Sequence, residues 1–135
     1  YHIYGSTKYL EQYGHPKNLS ELNKHRFISY GKGAPSPVFN PDWALKLGMK
    51  DNKKRKPIMK VNSVYGLLLA VQSGVGLASL PDYMVSDKSN LVRILSNHKG
   101  PTYQTYFVYP ENFKNDRRLE VFRDFLYNEA KDRHY

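Results

Sequence analysis

The sequence predicts an α/β chain, built on a mixed, mostly parallel sheet flanked by helices. Three observations predict it. First, residues 57–80 read as strand, helix, strand: Pro57 to Val61, a helix capped by Asn62 or Ser63 and ended by Gly74, then the apolar run Val75 to Leu80. Second, the helix carries Val64, Leu67, Leu68, Leu69 and Val71, which point to more than one side, so two faces must be covered. One cover is its own sheet. The other is either another part of the same lobe or a partner subunit. Third, several short strands end in a polar or small residue followed by a helix or loop.

The other elements follow in order. Ile3 to Tyr13 reads as a strand end and then a helix, capped by Ser6 and stopped by Gly14. Asn18 to Glu21 resembles a capping box opening a short helix to His25. Arg26 to Tyr30 is a strand by β-propensity. Gly31 to Pro41, rich in glycine and proline, is a loop. Trp43 to Leu47 alternates apolar and polar and predicts an edge hairpin strand that returns as Pro57 to Val61. Pro81 opens a short helix, Asp82 to Val85. Leu91 to Leu95 and Tyr103 to Tyr109 are further strands. Asn115 caps a last helix whose apolar stripe is Leu119, Phe122, Phe125 and Leu126.

The composition is that of one globular domain: 135 residues, 40% hydrophobic and 24% charged. No apolar run is long enough to span a bilayer, so no membrane association is expected. The start at Tyr1, without Met or a signal peptide, suggests a fragment. With no cysteine, disulfides, thiolate metal sites and cysteine nucleophiles fall away, which fits a reducing cytoplasm. The net charge of +9 is open to several readings: a nucleic-acid surface, a basic globular domain, or a fragment whose acidic half is missing. It is dispersed apart from Lys50, Lys53, Lys54, Arg55 and Lys56, which sit among turn residues and read as a solvated tip.

Catalytic chemistry finds no support. None of the five histidines has a second ligand at helical spacing, so no metal is expected. There is no Gly-x-Ser-x-Gly elbow, no phosphate loop and no complete dinucleotide fingerprint, so no cofactor is expected either. Asp82, Asp87 and Asp116 lie where carboxylates cap helices. What remains is binding. In an open parallel sheet the carboxyl ends of the strands gather at one edge, where ligands bind. Gly5-Ser6, Ser29-Tyr30, Asn62-Ser63 and Ser79-Leu80-Pro81 are such ends, and helix starts at Ser6 and Ser63 would suit an anion there.

Three pieces together resemble a known family. They are Gly5 to Leu10 leading to Tyr13-Gly14, Pro16, Leu19, Leu22 and His25-Arg26; Val61-Asn62-Ser63 through Ala70 to Tyr83; and Leu91 to Leu95 followed by Phe107 to Pro110 and Leu119 to Leu126. In this order they look like the effector-binding domain of LysR-type transcriptional regulators, over nearly the whole chain. The resemblance implies a type II periplasmic-binding-protein-like fold, two α/β lobes joined by crossover strands. Residues 1–5 would be the first crossover and 6–101 lobe II. Residues 102–135 would hold the return crossover, Tyr103 to Tyr109, and a helix of an incomplete lobe I. The DNA-binding helix-turn-helix would lie in a missing N-terminal domain.

The resemblance also implies a cytoplasmic sensor rather than an enzyme. A small-molecule effector, a carboxylate or aromatic acid, would bind between the lobes at Tyr4, Ser6, Asn62, Ser63, Ser79, Leu80 and Pro81, and the strand-end pattern adds Ser29 and Tyr30. Val64, Leu67, Leu68 and Val71 would lie at the subunit interface of a homodimer or homotetramer. Two other readings stay open: a solute-binding protein of a transport system, which shares the architecture, and a basic nucleic-acid-binding module. The exposed stripe of the last helix implies that this chain alone is marginally stable or prone to aggregate.

Overall fold

The computed structural model describes residues 1–31, 42–51 and 53–132. The chain divides into two compact units, Tyr1–Thr102 and Tyr103–Tyr135. In the first, strands β1 (His2–Ser6), β2 (Ile28–Tyr30), β3 (Met59–Val61), β4 (Ala78–Leu80) and β5 (Leu91–Ile94) alternate with helices α1 (Thr7–Tyr13), α2 (Trp43–Lys46) and α3 (Val64–Gln72).

β2 and β3 pair in parallel, while β1 lies antiparallel between β4 and β5. A parallel bridge, Phe27 to Leu77, joins the two sets: Leu77 donates its N–H to the Arg26 carbonyl at 2.8 Å, and Ile28 donates to the Leu77 carbonyl at 2.8 Å. The strand order is therefore β3-β2-β4-β1-β5, with β1 alone reversed. Gly76 permits the bridge, because a Cβ there would meet the Arg26 carbonyl oxygen at 2.6 Å.

Helices cover both faces of this mixed sheet. On one, Tyr9 and Leu10 of α1 and Trp43, Ala44 and Leu45 of α2 pack with Ile3, Phe27, Leu77 and Ile94. On the other, Leu67, Leu68 and Val71 of α3 pack with Tyr4, Ile28, Ala78 and Leu80. The caps are those the sequence predicts: Ser6 accepts from the Tyr9 N–H, Ser63 accepts from the Gly66 N–H, and Gly74 adopts φ 81°. The second cover of α3 is not filled within the described chain, and Tyr65 and Leu69 remain exposed.

Residues 42–57 depart from expectation. Trp43 to Leu47 is not a hairpin strand but the short helix α2, and β3 pairs with β2 instead. Five alternating residues are too few to separate the two periods, and alanine, leucine and lysine are good helix formers. Arg55 is not part of the solvated tip that its run of lysines suggests, but is only 8% exposed. Its guanidinium donates to the carbonyls of Leu47 at 2.7 Å, Leu19 at 3.2 Å and Ala44 at 3.3 Å, and to Asn23 Oδ1 at 2.8 Å. It also stacks over Phe27. Burial pulls its pKa down from the ordinary arginine value. The cation thus fastens the carboxyl end of α2 to the sheet layer. Of the predicted loop, residues 32–41 lie outside the described residues.

In the second unit, α4 (Arg117–Asp132) forms as expected, but the side chain that caps its first turn is that of Asp116 rather than Asn115. Asp116 accepts from the Arg118 backbone N–H at 2.9 Å and pairs with the Arg118 guanidinium, which holds its carboxyl down at about 2. The predicted strand Tyr103 to Tyr109 does not form: no residue there enters a sheet among the described residues. A strand exists only through pairing, and β-propensity does not supply the neighbour. Phe122, Phe125 and Leu126 are exposed in this chain. No helix among the described residues is long and apolar enough to cross a membrane.

Candidate functional site

The reversal of β1 decides which predicted residues meet. His2 pairs with Leu80, and Ser6 with Leu91. One edge of the sheet therefore collects the carboxyl ends of β2, β3, β4 and β5 with the amino end of β1. Ser6 lies at the opposite edge, 3.5 Å from the position a Cβ on Gly74 would take. Its hydroxyl caps α1 and is fully buried. The expectation that Ser6 shares an edge with the other strand ends is corrected by the antiparallel register.

At the shared edge a shallow depression is lined by Tyr1, Ile28, Ser29, Tyr30, Val64 and Ser79, with Ala44, Leu45 and Leu67. Ser29, Tyr30 and Ser79 were predicted there. The space inside is about 20 Å³, room for a water molecule but not for a metabolite. Among the described residues no charged side chain lines it. Ser29 is 4% exposed, and its hydroxyl has no hydrogen-bond partner among the described residues. Such an orphan costs about 1–3 kcal/mol when buried, so a built-in partner is the norm. Ser79 is engaged: its hydroxyl accepts from Trp43 Nε1 at 2.7 Å and keeps its own hydrogen to donate.

The remaining predicted residues fall into groups. Asn62 and Ser63 are exposed at the same edge, immediately before Val64. The Asn62 carbonyl accepts from the Tyr30 hydroxyl at 2.9 Å, and Ser63 serves as the α3 cap. Leu80 and Pro81 are buried, so they offer backbone rather than side chain. Leu67, Leu68 and Val71, expected at a subunit interface, are at most 7% exposed and pack on their own sheet. Leu67 and Val64 also reach the depression. The outward face of α3 is Tyr65 and Leu69 instead, at 61% and 46% exposure. Apolar content on two sides was legible, but not which side the sheet takes.

Tyr4 belongs to a polar cluster the sequence did not reveal. Its hydroxyl donates to Asp82 Oδ1 at 2.8 Å and accepts from Arg93 at 3.2 Å. His2 Nδ1 sits 2.8 Å from the same carboxylate oxygen. Asp82 therefore does not cap the 3₁₀ turn it begins, as its position suggested. Burial would raise its pKa, but the hydrogen bonds from His2 and Tyr4 outweigh that and hold it below the usual carboxylate range. A carboxylate with a depressed folded-state pKa contributes stability above its unfolded value near about 3.9, and that contribution is lost as pH falls through the folded value. Asp82→Asn should therefore lower stability at pH 7 while flattening the acid limb below about pH 4. Urea melts across that range check it; parallel pH profiles for the two proteins would refute it.

The profile of the LysR substrate binding domain matches residues 1–131. The chain belongs to that family. This LysR substrate-binding chain is 28% identical over 124 residues to an HTH-type transcriptional regulator of Haemophilus influenzae, covering 89% of the chain and 40% of the relative. It is 23% identical over 130 residues to the regulator YhjC of Escherichia coli, covering 94% and 43%. The chain thus spans about two fifths of the length of these relatives.

Among solved structures, the LysR-type CrgA regulatory domain of Neisseria meningitidis superposes with TM-score 0.68 at 25% identity, covering 95% of this chain and 63% of that one. Intact CrgA gives 0.69 at 25% identity, covering 95% and 44%. The fold is that of LysR regulatory domains, the type II periplasmic-binding-protein-like architecture expected from the resemblance. Among the described residues no group of three or more His, Asp or Glu is gathered as a metal site.

Proposed function

We propose that this chain is the lobe II half of an effector-sensing domain, in a transcriptional regulator whose DNA-binding part lies outside it. The observation that carries the reading is Ser29, which lines a depression at the carboxyl edge of the sheet together with Ser79 and whose buried hydroxyl has no partner among the described residues. Two hydroxyls with hydrogens to donate suit an oxygen acceptor, and Ile28, Leu45, Val64 and Leu67 suit an apolar body. A carboxylate or aromatic acid has both parts. The depression is too small to enclose such a ligand, so the second wall comes from the other lobe. On this reading residues 1–5 are one crossover and 102–135 carry the other, with a helix of lobe I.

The effector acts by shifting the relative geometry of lobes and subunits. The regulator assembles as a homodimer or homotetramer in which the exposed Tyr65 and Leu69 of α3 meet a second subunit. It works in the cytoplasm, and by binding rather than catalysis. The names of its relatives favour regulation over a transport role.

Titrating the full-length protein with benzoate and a panel of aliphatic and aromatic carboxylates tests the site. At least one saturable ligand is expected, with affinity reduced about tenfold in Ser29→Ala, the worth of a hydrogen bond to a charged group. Asn62→Ala and Ser63→Ala, at the rim, should weaken it less. Undiminished affinity in Ser29→Ala would overturn the assignment.

A further inference from the structure

We infer that Trp43 is a positioning residue linking the ligand-facing end of β4 to the segment through which the chain leaves the first unit. This rests on the sensing reading for its biological use, but not for its geometry. The indole N–H of Trp43 donates to Ser79 Oγ at 2.7 Å, and Ser79 lines the depression. The ring of the same indole lies against Gly100. A Cβ on Gly100 would stand 2.4 Å from two ring atoms, so only glycine allows this approach. Gly100 in turn donates its N–H to the Tyr1 carbonyl at 2.7 Å. One rigid side chain therefore touches the strand end in the depression and the point where the backbone at residue 100 is tied to residue 1.

The indole is itself held. It is 8% exposed. The carbonyls of Ala44 and Leu47, within and just after its helix, are fixed by Arg55. A side chain anchored on three sides transmits a displacement rather than absorbing it, because packed interiors leave little free volume. The Ser79 hydroxyl already turns a lone pair toward the indole, which leaves its hydrogen for an occupant of the depression. Fixing or moving Ser79 then moves Trp43, and through it Gly100 and the tie to Tyr1.

The experiment reads amide hydrogen exchange in the full-length protein without any ligand. Ser79→Ala should accelerate exchange at Gly100 about fivefold, the typical net worth of one hydrogen bond. Trp43→Phe should do the same, and Ser79→Ala should add nothing in that background. Val71 in α3, packed on the opposite face of the sheet, serves as the reference amide and should not change. Exchange at Gly100 that ignores Ser79→Ala, or responds equally in both backgrounds, would overturn the link.

Should Trp43→Phe lose protection at Val71 as well, the single tryptophan offers a second readout. After 5-fluorotryptophan labelling, Ser79→Ala must shift the lone fluorine resonance and slow-exchange protection at Gly100 must fall with it. An unmoved resonance overturns the proposal. No metabolite enters these measurements, so their failure counts against the coupling alone. Failure of the carboxylate titration counts against the sensing reading alone.

Discussion

Arg55→Met should unfold the first unit at markedly lower denaturant, with a loss of about 3 kcal/mol or more. The guanidinium satisfies carbonyls from two separate segments, Leu19 on one and Ala44 and Leu47 on the other, together with the Asn23 side chain. Methionine fills much of the volume but donates nothing, so several buried acceptors lose their partners at once. Hydrogen bonds to a charged donor are each worth about 1.5–3 kcal/mol, and losing two already gives the expected figure. Arg55→Lys should recover only part of it. An ammonium is a point donor and cannot reach both segments in the way a planar fork does. Urea denaturation followed by circular dichroism measures both variants. A loss under about 1 kcal/mol for Arg55→Met would mean the clasp is incidental.

The second large effect separates core from interface on α3. Leu68→Ala should cost about 2–5 kcal/mol, because the side chain is buried against Tyr4, Ile28 and Leu80 and leaves a cavity. Its effect should not depend on protein concentration. Leu69→Asp should behave in the opposite way. Leu69 is half exposed, so monomer stability should change by less than about 0.5 kcal/mol while subunit association weakens. Sedimentation alongside thermal melts distinguishes them. If Leu68→Ala dissociated the assembly and left the fold intact, the orientation of α3 described above would be wrong.

Local rules carried most of the first unit. Ser6, Ser63, Gly14 and Gly74 bracket α1 and α3 as their side-chain chemistry requires. The strand–helix–strand run from Met59 to Leu80 was legible because each element is signalled within its own residues. What was not legible depends on partners distant in sequence. Nothing local to His2–Ser6 says that it runs antiparallel to β4, and that one fact removes Ser6 from the candidate site. The helix at Trp43–Lys46 is too short for its period to show. Arg55 sits in a run of lysines and looks like them, although its planar fork is used in the interior. The cluster of His2, Tyr4, Asp82 and Arg93 joins residues up to 91 positions apart, beyond the reach of any spacing rule.

The candidate site shows the same division. Ser29, Tyr30 and Ser79 were legible as strand ends, because an open sheet places such ends at one edge. Tyr1, Ala44 and Leu45 were not, since they arrive through a reversed strand and an unrecognised helix. The orphaned state of the Ser29 hydroxyl is a three-dimensional fact, yet it is the feature that ranks this serine above the others.

The most direct test of the account is a crystal structure of the full-length protein, grown with whichever carboxylate stabilises it most in a thermal-shift screen. The expected complex has a ligand oxygen within about 3 Å of Ser29 Oγ, with Ser79 close by and Trp43 still bonded to it. A ligand enclosed elsewhere, with the Ser29 hydroxyl left unpaired, would contradict it.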